Sequence, residues 1–159
     1  MGTIKYGFVY GVRCQIPVVI GDSEVFKDLG GCFVKFETTV DVNGRPQVVP
    51  AGDGDTVLAG WLDVSEYTSS ATAGQDEALL DVSPLSIYRI GVSSGTLALD
   101  DVGDYCDLAI GGTLAANYQG IQADAGVEGT IIVVKRESST VALVRLNPSK
   151  ITGMAACAT

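Results

Sequence analysis

No stretch long enough for a packed helix, about twelve residues, holds an apolar period of 3.6 in this chain. Gly, Asn, Asp, Ser and Pro instead interrupt short apolar runs about every eight to twelve residues. A chain cut so finely has no helices to lay over a sheet. It must bury its apolar side chains between strands, which predicts an all-β sandwich or barrel.

The individual runs support this. Residues 31–37 alternate large apolar and polar groups, the period of a half-buried strand. Residues 38–49 read as a hairpin in which Asn43-Gly44 supplies the positive φ angles of a tight turn. Residues 50–55 form a compact turn, and 56–64 a strand. Further strands are expected at 78–82, 86–92, 96–99 and 105–109. The clearest pair is 129–136 and 141–146, joined by the turn 137–140 and stopped at Asn147-Pro148.

Other segments are read differently. Residues 4–12 are β-rich but broken by glycine, and read as an N-terminal arm or an edge strand. Pro17 and Gly21-Asp22 interrupt the next stretch, and Ser23 is placed to cap one short helical turn over 25–29. Residues 65–76 are small and polar, an exposed loop. The tail through Thr159 is expected to fray.

The length of 159 residues suits a single domain, 1–159, with residues 1–16 as a candidate arm. No repeat of fixed period and no linker divides it, although a weak seam is expected near residues 65–76. No apolar run approaches the roughly eighteen residues of a membrane span, and residues 1–6 lack the pattern of a signal peptide. The protein is expected to be made and kept in a cytoplasm until it assembles.

Composition narrows the partners. The net charge is −9, from ten basic and nineteen acidic side chains, so direct nucleic-acid binding is not expected. Charged residues make up only 18 %, below the roughly 25 % of ordinary globular chains, which suits a surface partly covered by a partner. The plainer reading is a compact β-protein with a surface of Gly, Ser, Thr and Ala.

The chain has no histidine, which removes Ser-His-Asp and Cys-His catalysis and the commonest metal ligand. Cys14, Cys32, Cys106 and Cys157 are widely and irregularly spaced and form no CxxC, so free, mostly buried thiols are expected and no metal site, with a disulfide formed after release from the cell as the alternative. Asp53-Gly54-Asp55 opens like a calcium loop, but Val57 and Leu58 stand where an oxygen ligand and a glycine are needed. Asp100, Asp101, Asp104 and Asp107 form a second acidic cluster, and Asp63 and Glu66 border a strand end. All read first as solvated turns. No cofactor is implied and no catalytic residue is assigned.

Four aromatic residues are the candidates for a partner interface. Alternation places Tyr6, Phe8 and Tyr10 on one face of an extended segment, suited to insertion into a neighbouring subunit or into the protein's own core. Trp61, the only tryptophan, sits among apolar residues; core packing is its default and an interface anchor the sharper reading.

Three passages carry a family resemblance: residues 31–36 (GCFVKF), residues 48–62 (VVPAGDGDTVLAGWL) and residues 129–134 (GTIIVV). The G-x-F-V-K strand followed by A-G-D-x-D-x-V-x-x-G resembles tailed-bacteriophage head decoration (capsid cement) proteins. That resemblance implies a β-barrel or β-tulip-like body with an extended N-terminal arm. It implies a structural protein on the capsid exterior of the virion that cements neighbouring major capsid subunits. It also implies a homo-oligomer, trimer favoured over dimer, with no enzymatic activity. Two alternatives stand beside it. One is a small trimeric hydrolase of dUTPase type, suggested by residues 120–126 but lacking that family's Arg-Ser-Gly motif. The other is a phage tail or baseplate binding module.

Overall fold

The computed structural model describes residues 6–26, 30–41, 43–72, 74–111, 114, 118–123 and 129–152, with Thr39 described by its backbone alone. The chain is all-β: among the described residues the one helical piece is a 3-10 turn at Pro148–Lys150. The first eight strands are β1 (Gly7–Tyr10), β2 (Gln15–Ile20), β3 (Val25–Phe26), β4 (Cys32–Val40), β5 (Pro46–Pro50), β6 (Gly60–Leu62), β7 (Tyr67–Thr68) and β8 (Glu77–Asp81). Five more complete the chain: β9 (Ile87–Ser94), β10 (Tyr105–Ile110), β11 (Gln119–Gln122), β12 (Ile131–Ser138) and β13 (Val141–Leu146).

These strands make two closed rings. The first runs β2-β5-β4-β6-β8 and back to β2. Its β2 and β5 are parallel and every other pair is antiparallel. The second runs β9-β11-β10-β12-β13 and closes where β13 pairs with β9. Here β9 and β11 are parallel and every other pair is antiparallel. In both rings the first and third strands in chain order form the parallel pair, so the two share one topology.

The match extends to register. Setting Val48 of β5 on Ile121 of β11 places Phe36 on Leu108 and Ile20 on Val92, through the cross-strand partners. Moving around the ring, Val34 falls on Cys106, Leu62 on Val133 and Leu80 on Val144. The last step sets Ile16 on Tyr88, and the circuit closes without a slip. A one-residue error would have turned every side chain to the wrong face.

The interiors agree position by position. Val18, Ile20, Val34, Val48, Leu62, Leu80 and Val82 pack inside the first ring. Their counterparts Ile90, Val92, Cys106, Ile121, Val133, Val144 and Leu146 pack inside the second. A trace survives in sequence: Ala78-Leu79-Leu80-Asp81-Val82-Ser83-Pro84 aligns with Ala142-Leu143-Val144-Arg145-Leu146-Asn147-Pro148. The chain is therefore an internal duplication, where no repeat was expected from the sequence. Loops of different length between matched strands remove any fixed period.

Several local expectations change. The chain passes from one ring to the other between Asp81 and Ile87, and not near residues 65–76. That polar segment packs on the first ring: β7 pairs with β3 in a separate two-stranded sheet, Phe26 and Tyr67 pack with the first ring's core, and Ile20 donates to the Asp76 carbonyl. Residues 15–20 form a strand despite Pro17, because β5 pairs with β2 only at Val19 and Ile20 and leaves the edge beside Pro17 without a ladder. In place of a helical turn, Val25–Phe26 is a short strand; residues 27–29 lie outside the described residues. Residues 96–99 form no strand. Leu97 is instead a buried plug, its N–H donating to Ser139 and its carbonyl accepting from Arg136. Residues 7–10 are an edge strand on β9, and residues 1–5 of the expected arm lie outside the described residues.

Candidate functional site

The rings meet through aromatic side chains. Val34 and Leu62 point into the first ring, so the alternate residues Phe33 and Trp61 point outward from it. They pack on Tyr88, which sits inside the second ring near the end where β9 and β11 begin. Trp61 and Tyr88 stack at 4.5 Å, and Phe33 meets Trp61 at 4.7 Å and Tyr88 at 5.4 Å, both edge-on. Gln119, at the same end of the ring, ties the backbone in. It accepts from the Phe33 N–H at 2.8 Å and donates to the Phe33 and Ala51 carbonyls at 2.9 and 2.7 Å. The outer face of ring one thus closes the mouth of ring two.

Asp81, fully buried, holds the crossover. Its carboxylate accepts from Tyr88 Oη and Ser86 Oγ at 2.7 Å, from Cys14 N and Arg13 Nε at 3.0 Å, and from Ser83 N at 3.1 Å. Burial pushes its pKa upward, but the bonds from Tyr88, Ser86 and the backbone outweigh it, and the net direction is down. The same burial, with the carboxylate beside it, pushes the Tyr88 phenol far above its ordinary value. Arg13 also pairs with Asp63 and lies 4.5 Å over the Phe8 ring.

The four residues singled out as interface candidates separate. Trp61 is 1 % exposed and its indole N–H donates to Asp63 at 2.8 Å, so it serves the junction and offers a partner no surface. Phe8 packs edge-on against Tyr88 at 6.1 Å. Tyr6 is half-buried beside Gly91 of β9. Tyr10 is 53 % exposed. Alternation would keep Phe8 and Tyr10 on one face, but a bulge between them turns Phe8 to the core and Tyr10 to solvent.

Tyr10 is not alone there. The chain at Gly11 runs against Leu85, where an added Cβ would meet the Leu85 carbonyl at 2.2 Å, and Ser86 Oγ donates to the Val12 carbonyl. Val12 and Leu85 are both more than 60 % exposed. Three large apolar side chains therefore flank one backbone contact at the waist between the rings. Nothing in the sequence marked Val12 or Leu85, because each is a single apolar residue among breakers. Phe33 and Gln119 meet across 86 residues and Asp81 meets Arg13 and Cys14 across 68 and 67, separations that no local pattern reveals, while the Ser83, Ser86 and Tyr88 partners of Asp81 lie close by in the chain.

The residues with chemical potential are occupied structurally. Asp55 accepts from Lys35 Nζ and Gly52 N, Asp53 from Ile110 N, Asp101 from Ala98 N and Asp107 from Gly129 N. Among the described residues no group of three or more His, Cys, Asp and Glu side chains converges as metal ligands would. Cys32 and Cys106 are buried and keep their thiols. Burial, reinforced by Asp101, Asp104 and Asp107, pushes the Cys106 thiol up to about 11. Cys14, by contrast, is disulfide-bonded, so the expectation of free thiols fails at that position. Cys157 and residues 124–126 of the dUTPase-like segment lie outside the described residues.

No family model, no curated protein and no solved structure matches this chain.

Proposed function

We propose that the protein is a structural decoration protein of a tailed-bacteriophage head, binding the outer capsid surface and cementing neighbouring major capsid subunits. The observation that carries this reading is the apolar patch of Tyr10, Val12 and Leu85, gathered at the waist of a molecule whose described thiols and most of whose clustered carboxylates are committed to its own structure. Apolar area removed from water contributes roughly 25 cal/mol per Å² before ordering costs, and identical copies over a shell add that contribution at every seam. Two of the segments that resemble decoration proteins supply β4, the end of β5 and β6, three adjacent strands of the first ring. The third segment, residues 129–134, leads into β12 of the second ring. On this reading the partner is the major capsid protein, the location is the virion exterior, and no cofactor takes part.

The test is to mix the purified protein with undecorated phage heads and follow binding by sedimentation. Saturation at a fixed copy number, weakened at least tenfold by Leu85→Ser with Tyr10→Ser and no loss of thermal stability, supports the reading. Absence of binding to heads of any tested phage, together with magnesium-dependent nucleotide turnover, would replace it with the hydrolase alternative.

A further inference from the structure

The duplication repeats the positions of the inter-ring joint, and in the second set the aromatic position is uncovered although Ile132 beside it is buried within the chain, 9 % exposed. On the outward face of ring two, Tyr105 occupies the position of Phe33, Ile132 that of Trp61 and Arg145 that of Asp81. Phe33 is 0 % exposed, whereas Tyr105 is 56 % exposed, with Val102 beside it in the chain at 44 %. At the mouth of ring one, Ile16 stands where Tyr88 stands in ring two, and Pro46 where Gln119 stands. In ring two that mouth is filled by Phe33 and its backbone. In ring one it is open, an apolar cleft of about 310 Å³ lined by Ile16, Pro17, Val18, Phe36 and Pro46, with Arg45 and Glu77 at its lip.

We infer that a second copy of this chain occupies the cleft. The Tyr105 face of one copy docks on the Ile16 mouth of the next, repeating between chains the joint that Phe33 and Tyr88 make within one. Arg145 lies on the face, and the lip carries the Arg45–Glu77 ion pair, whose Glu77 carboxylate is 63 % exposed and would be shared with the incoming guanidinium. The joint is head-to-tail, so it closes into a ring if the rotation permits and otherwise extends. It is weaker than the internal joint, because Pro46 cannot make the bonds through which Gln119 holds the Phe33 backbone. This inference does not depend on the decoration reading.

A heterologous joint has a distinctive test. Light scattering with size-exclusion chromatography is run on the wild type, on Tyr105→Arg, which spoils only the face, and on Pro17→Arg, which spoils only the cleft. Pro46→Arg serves as a second cleft variant, and thermal melts check that each variant folds. The expected result is self-association of the wild type, a monomer for each variant alone, and a dimer but nothing larger when a face variant is mixed with a cleft variant. The inference is overturned if the wild type stays monomeric up to ~1 mM. It is equally overturned if Tyr105→Arg associates like the wild type, or if the mixture of folded variants remains monomeric.

Discussion

Phe33 and Tyr105 occupy the same position in two rings of the same topology, yet Phe33 is sealed between Trp61 and Tyr88 while Tyr105 faces solvent. The duplicated unit uses this outward aromatic position in one copy to join the rings and leaves it uncovered in the other.

The difference is measurable by truncation. Phe33→Ala empties a buried site and is expected to cost about 3–5 kcal/mol, with both rings unfolding in one earlier transition because the joint belongs to both. Tyr105→Ala, at the exposed counterpart, is expected to stay within about 0.5 kcal/mol for the monomer. Urea unfolding of the two variants side by side checks this; equal losses would mean that the positions are not used differently.

Asp81 makes stability depend on acid. Its folded-state pKa lies below the ordinary aspartate value of about 3.9, so between those two values the unfolded chain binds more protons than the folded one. The Asp81 contribution is therefore complete above about pH 4 and is lost as pH falls through the folded-state value. Asp81→Asn is expected to cost about 2–4 kcal/mol at pH 7, by weakening the bonds from Tyr88, Ser86 and Arg13. It is also expected to flatten the fall in stability below about pH 4. Denaturant titrations at about pH 7 and about pH 3 on both proteins give the slope; an unchanged slope in the variant would place the acid sensitivity elsewhere.

The chain ahead of the first ring is held by a backbone contact that only glycine permits. Gly30 has φ +106°, and a Cβ there would stand 2.3 Å from the Tyr6 carbonyl oxygen. Gly30→Ala is expected to cost about 1–3 kcal/mol and to speed amide exchange in β1 before the rest of the sheet. Gly44→Ala, in open space at φ +75°, is the control and should cost about 1 kcal/mol without touching β1 exchange.

Cys106 is expected to resist alkylation in the folded protein. Its sulfur is buried inside ring two and its pKa is pushed up to about 11, so little thiolate exists at about pH 8. Iodoacetamide at that pH followed by peptide mass mapping should leave Cys106 unmodified in the native protein and modify it fully in urea. Rapid native labelling would mean that ring two opens readily.

Turn chemistry and period-two alternation were enough to read the all-β class, the Asn43-Gly44 hairpin and the hairpin of β12 and β13, because those features depend on neighbours along the chain. The likeness of residues 78–84 to residues 142–148 did not suffice to show a repeat, because the matched strands around it share only apolar alternation, which every strand has. What sequence could not assign was which outward residues find cover. Trp61 and Tyr10 looked alike as aromatic candidates, and one is core while the other is surface. Their fates depend on ring closure and on a single bulge in β1, both of which arise from hydrogen bonds between residues far apart in the chain. Local sequence determined the strands and their inward faces. Only the closed rings, with one capping the other, decided which residues became the joint and which remained exposed, because burial is a property of the packed whole.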